Sequence, residues 1–162
     1  MKKLDKAADL VNSLIKFRLT LCTAESCTGG GIADIITDIP GASQAFVGSV
    51  VVYTPEAKGI LLNLPAEEIP PGAVGEELTV AMAAKAKSLL GTDLALAVTG
   101  ALGPTSPGKG IEIGQVFISI AGLGRQEVKQ FIFAGDRQTI KGAAVNAGID
   151  LLLAYIARWY IA

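Results

Sequence analysis

The chain of 162 residues contains no histidine. That absence removes the Ser-His-Asp triad, the Cys-His pair and the HExxH zinc site together, because each needs an imidazole as base or ligand. Cysteine is scarce as well: Cys22 and Cys27 are the two in the chain, and their spacing fits neither a CxxC redox pair nor a metal knuckle. Charged residues make up only 18%, with 14 basic against 15 acidic side chains and a net charge of −1. No basic block occurs, which argues against nucleic-acid binding driven by phosphate neutralisation. An uninterrupted membrane-spanning run is missing too. The most apolar stretch, 149–162, is broken by Asp150 and Arg158 and reads as a buried helix. The N-terminal residues lack a signal-peptide pattern, and no repeat or low-complexity segment follows. These absences predict a cytoplasmic protein with neither nucleic acid nor membrane as partner.

What the chain does have is hydrophobicity, 51% of its residues. That suffices for one domain over 1–162 with a dense core, and the surplus points to a homo-oligomer. Ala7, Val11, Leu14 and Ile15 recur at helical spacing and predict an amphipathic helix over 4–17. An apolar, β-prone run over 19–25 leads into Ser26-Cys27-Thr28-Gly29-Gly30-Gly31 and a helix over 29–38. A strand over 45–53 ends at Tyr53. Thr54-Pro55-Glu56 then carries the marks of a helix start: a capping hydroxyl, proline at the first position and an acid in the first turn. A proline-rich loop over 64–72 precedes a helix over 75–90 stopped by Gly91. Residues 93–99 read as a strand buried on both faces and 100–110 as a glycine- and proline-rich loop. Strands over 114–121 and 127–133 form a hairpin, and a helix over 137–159 closes the chain. Strands alternating with helices predict an α/β fold, a three-layer sandwich with a mixed, mostly parallel central sheet and a C-terminal antiparallel hairpin. Ligands of such sheets sit beyond the carboxyl ends of parallel strands. Three of these ends, at Ser26, Tyr53 and Thr99, fall in polar or glycine-rich sequence.

Ser26 stands where a strand breaks into a helix. There it is either a nucleophile backed by the amides of Cys27, Thr28 and Gly29, a hydroxyl of an anion-binding loop, or simply a helix cap. The local pattern alone favours the cap. Without histidine, a nucleophilic Ser26 needs Lys, a carboxylate or Tyr as its base. Lys58 lies in the opening turns of its helix, where the macrodipole disfavours a cation and lowers the lysine pKa. An exposed, tolerated lysine is the plainer alternative. Tyr53 either hydrogen-bonds Ser26 or Lys58 or is a sheet-edge aromatic. Arg137, at the first position of the last helix, also opposes the dipole and suits an anionic ligand, or else a surface pair with Asp136 or Glu127. Thr99-Gly100 ends a buried strand at a loop fit for a phosphate or nucleotide. Glu25 would orient a lysine, bind a hydroxyl or merely close a strand.

The segments Thr23-Ala24-Glu25-Ser26-Cys27-Thr28-Gly29-Gly30, Tyr53 to Lys58, Gly72-Ala73-Val74, Ala97-Val98-Thr99-Gly100 and Gly135-Asp136-Arg137 occur in order over nearly the whole chain. Together they resemble the CinA C-terminal (PncC-like) family. The resemblance implies an amidase that converts nicotinamide mononucleotide to the acid and ammonia without a metal or other cofactor. It implies Ser26 as nucleophile, Lys58 as base and Tyr53 as an assisting group. It places Thr99 and Arg137 around the nucleotide; Cys27, Thr28 and Gly29 of the turn and Gly100 at the strand end complete the candidate substrate-binding residues. The loop over 101–113 departs from the pattern of active relatives, which puts the identity of the substrate in play. Lys141 provides a second basic residue four places after Arg137.

Overall fold

The computed structural model describes residues 3–160. Ile161 and Ala162, at the end of the expected tail helix, lie outside the described residues, as do Met1, Lys2 and the side chains of Lys3 and Leu4. Five strands form one sheet in the order β2-β1-β3-β4-β5. Strand β1 (Leu21–Glu25) is parallel to β2 (Phe46–Val51) on one side and to β3 (Leu94–Gly100) on the other. Strand β4 (Gln115–Gly122) runs antiparallel to β3, and β5 (Arg125–Ile132) antiparallel to β4. Helices α1 (Lys3–Lys16), α2 (Gly31–Thr37) and α5 (Arg137–Tyr160) pack on one face, α3 (Pro55–Leu62) and α4 (Glu76–Leu90) on the other.

The two faces are written into β3 as a two-residue alternation. Leu94, Leu96 and Val98 point into the cluster with α1, α2 and α5, whereas Ala95 and Ala97 point at α4. Alanines on that face let α4 lie close, and its Leu78, Met82, Ala83 and Ala86 fill the space. Helix α5 is long and apolar enough to cross a membrane by composition. Here its Ile140, Val145, Ile149, Leu152 and Ile156 are buried in the core.

Several boundaries move for local reasons. Helix α2 begins at Gly31, not at 29, because Gly29 and Gly30 take φ of 60° and 93°, outside helical space. Strand β1 begins at Leu21 because Arg18 turns left-handed at the end of α1 (φ 55°), and Leu19 N–H returns to Leu14 O. The hairpin turn is only Leu123-Gly124, both at positive φ, so β5 starts at Arg125 and not at 127. Strand β2 stops at Val51, two residues short of Tyr53, as the chain swings its next carbonyls toward Lys58.

Candidate active site

Beyond the carboxyl end of β1 the chain must turn into α2, and it does so without using Ser26 or Thr28 as the cap. The buried Glu25 carboxylate accepts from Ile32 N (3.0 Å) and Ala33 N (2.8 Å), the second and third residues of α2. It also takes the hydroxyls of Thr28 (2.7 Å) and Thr23 (3.2 Å). Gly30, in the capping position, has no side chain to offer. The alternatives open for Glu25 thus close in an unexpected way: it is the helix cap, reaching across the turn.

Ser26 is left free for another partner. Its amide bonds to Val98 O and anchors the residue beside the end of β3. Its hydroxyl accepts from Lys58 Nζ at 3.0 Å. Lys58 reaches it because Thr54 caps α3, accepting from Ala57 N, and Pro55 fixes the first turn. The lysine is completely buried, and its ammonium also donates to Val52 O (2.8 Å) and Tyr53 O (3.4 Å). All three acceptors are uncharged, so their hydrogen bonds offset the loss of water only in part. Burial pulls the Lys58 pKa from 10.5 down to about 8, with the nearby Cys27 opposing slightly. Roughly a tenth of the lysine is then neutral at pH 7.

A cavity of about 320 Å³ opens over this pair, with Ser26, Cys27, Tyr53, Gly100 and Arg137 in its wall. Gly100 has no room for a side chain. A Cβ there would lie 2.7 Å from Val116 Cγ2, 3.0 Å from Gln115 O and 3.1 Å from Cys27 Sγ. Cys27 forms wall rather than nucleophile, since burial pushes its thiol up to about 12.

Other expectations land differently. The Tyr53 hydroxyl accepts from Arg137 Nη2 at 2.7 Å; only the Tyr53 backbone oxygen meets Lys58. Thr99 is turned away from the cavity toward α4, where its hydroxyl lies 2.8 Å from that of Thr79 and accepts from Gly75 N. The Thr28 hydroxyl is spent on Glu25 and the Gly29 amide on Ser26 O, at 3.1 Å. Those three are supports of the turn and of β3, not cavity wall.

Arg137 donates to Gly103 O and the Tyr53 hydroxyl, both at 2.7 Å, and among the described residues has no carboxylate partner. Asp136 is occupied in capping α5 through Thr139 N, and Glu127 is held by Arg158 and Trp159. Lys141 is half-buried one turn further along α5; its Nζ lies 3.5 Å from where a Cβ on Gly29 would stand. Two cations thus flank the Ser26 turn. The rest of the wall is Gly72-Ala73-Val74, a segment of the resemblance, with Leu102, Thr105 and Pro107 of the glycine- and proline-rich loop. Ala73 there takes φ 50°, a strained value for alanine. Among the described residues no cluster of His, Cys, Asp or Glu is placed to hold a metal ion.

Comparison with known proteins finds relatives of the chain in sequence and in fold. The CinA C-terminal domain profile matches residues 3–156. A CinA-like protein of Syntrophomonas wolfei subsp. wolfei is 42% identical over 133 residues, covering 82% of this chain and 32% of the relative. A CinA-like protein of Geotalea uraniireducens is 45% identical over 123 residues, covering 75% and 29%. The chain therefore spans about a third of the length of the curated relatives it matches. Among solved structures, the competence damage-inducible protein A (ComA) of Klebsiella pneumoniae subsp. pneumoniae MGH 78578 superposes with a TM-score of 0.94. Its identity is 31%, covering 98% of this chain and 99% of that one. The competence/damage inducible protein CihA of Agrobacterium tumefaciens gives 0.89 at 28% identity, covering 95% and 96%.

Proposed function

The chain belongs to the CinA C-terminal domain family, and from that premise we propose that it is an amidohydrolase acting on the carboxamide of nicotinamide mononucleotide through a Ser26–Lys58 dyad. The observation that carries the reading is the 3.0 Å contact between the Ser26 hydroxyl and a fully buried lysine that, among the described residues, has no carboxylate partner. The neutral fraction of Lys58 takes the Ser26 proton, and Oγ attacks the carboxamide carbon. The amide of Gly29 is spent on Ser26 O, so the oxyanion would be held by the amides of Cys27 and Thr28, which in the resting site face the weakly accepting Cys27 thiol. Lys58, now an ammonium, returns the proton to the departing nitrogen, releasing ammonia and leaving an ester on Ser26. Lys58, neutral again, deprotonates a water that attacks the ester carbon, and then returns that proton to Ser26 Oγ as nicotinate mononucleotide leaves. Arg137 and Lys141, four residues apart on one face of α5, supply positive charge for the phosphate.

Replacing Ser26 by Ala is expected to abolish ammonia release from nicotinamide mononucleotide in a folded protein. Unchanged release by Ser26→Ala would overturn the mechanism. A second reading follows from the loop over 101–113, whose Leu102, Gly103, Thr105 and Pro107 form cavity wall. In that reading the fold binds a nucleotide without turning it over, or hydrolyses a different small amide. Binding of the mononucleotide with no product over long incubation supports the former, and ammonia release from another amide in a substrate panel supports the latter.

A further inference from the structure

The carboxylate of Glu25 hydrogen-bonds neither Ser26 nor Lys58, but it holds both ends of the turn that carries Ser26. Four donors converge on one buried side chain: Thr28 Oγ1, Ala33 N, Ile32 N and Thr23 Oγ1. Two come from the sheet and turn, two from the first residues of α2. The carboxylate therefore closes a ring around the five residues 26–30, stitching the end of β1 to the start of α2.

A serine or threonine in such a turn ordinarily caps the helix itself, giving its oxygen to the second or third helical amide. Here those amides are occupied. The Thr28 hydroxyl points at Glu25 and the Ser26 oxygen is released to face Lys58. We infer that Glu25 is a positioning residue for the Ser26–Lys58 pair: by capping α2 from the strand side it keeps the Ser26 hydroxyl out of the cap and in line with the lysine. This inference rests on the proposed dyad and adds to it the device that sets its geometry.

The arrangement has a second consequence. The positive end of α2 is neutralised internally, so it offers little to an incoming anion. The charge available to a substrate phosphate lies across the turn, on Arg137 and Lys141.

Glu25→Gln tests the inference. An amide keeps the size but turns one acceptor oxygen into a donor, so at least one helical amide or hydroxyl loses its partner. Ser26 or Thr28 then becomes free to take up the cap. Two readouts are used on protein shown to be folded by thermal melting and circular dichroism. The first is labelling of Ser26 by a sulfonyl fluoride, located by mass spectrometry, which needs no knowledge of the substrate. The second is steady-state hydrolysis of nicotinamide mononucleotide. Glu25→Gln is expected to lower the labelling rate at least tenfold and kcat by a similar factor, with KM within about threefold, because the phosphate contacts are untouched. Thr28→Val, which removes one donor while keeping shape, is the milder variant should Glu25→Gln fail to fold; a three- to tenfold loss of labelling is expected. Labelling by the folded variant at the wild-type rate overturns the inference. Wild-type protein that labels at Ser26 but does not release ammonia overturns the substrate assignment alone and leaves the labelling comparison decisive for Glu25. Wild-type protein that does neither overturns the dyad and the inference with it.

Discussion

A lysine ammonium held out of water by neutral carbonyls and one hydroxyl destabilises the fold that holds it. Lowering Lys58 from 10.5 to about 8 corresponds to up to roughly 3 kcal/mol at neutral pH. The sign follows from proton counting. Between pH 8 and 10.5 the unfolded chain binds the proton that the folded chain has lost, so wild-type stability rises with pH across that window. Below about 8 the full penalty is present. Denaturant melts of wild type and Lys58→Met are therefore expected to converge or cross as pH rises from 7 to 10.5, with wild type gaining up to about 3 kcal/mol relative to the variant. A constant gap would show that Lys58 keeps an ordinary pKa in the fold. For the wild type the same titration predicts a kcat/KM that climbs with pH to a plateau above about 8.

The elements around the proposed dyad are set by close approaches more than by propensity. Strand β3 ends at Gly100 because the backbone there passes under Val116, Gln115 O and Cys27. A methyl group at that point has to displace backbone as well as side chains. Gly100→Ala is expected to cost about 1–3 kcal/mol in thermal or denaturant unfolding and to reduce the proposed activity by shifting Cys27 beside Ser26. An unchanged melting temperature would contradict so close an approach of these segments. At this scale the sequence is readable where local chemistry decides. Thr54-Pro55 marks the start of α3 to the residue, and Leu-Ala alternation marks β3 as buried on both faces. It misleads at the turn after β1, where a serine and a threonine beside glycines read as caps. The cap comes instead from Glu25, and no spacing rule links a strand-end acid to amides seven and eight residues on.

Across the whole molecule, the cavity is assembled from the ends of β1, β2 and β3, the segment 72–74 before α4, the loop after β3 and the first turn of α5. Arg137 ties three of these together, reaching the carbonyl of Gly103 and the ring hydroxyl of Tyr53, which is itself 56% exposed. Arg137→Ala is expected to raise KM for nicotinamide mononucleotide about 10- to 100-fold, the loss of a charge-assisted contact, with a smaller change in kcat. For nicotinamide riboside, which lacks the phosphate, KM should stay within about threefold of wild type. Equal losses on both substrates would make Arg137 a brace for the loop and Tyr53, not a phosphate ligand. The alternation of strands and helices, the exclusion of imidazole chemistry and the short list of Ser26, Lys58 and Arg137 were all legible before folding. The first two, and the three residues as candidates, follow from residue type and near-neighbour spacing, which act locally along the chain; the family resemblance is what ranked Ser26 above a cap and Lys58 above an exposed lysine. What each side chain faces was settled only when the layers packed. Lys58 turned inward to Ser26, Tyr53 paired outward with Arg137, Thr99 joined α4, and Glu25 took the cap. Hydrogen-bond partners in a buried site are assigned by what packing leaves unsatisfied once the layers close, and that competition among donors distant in sequence leaves no trace in the order of the residues.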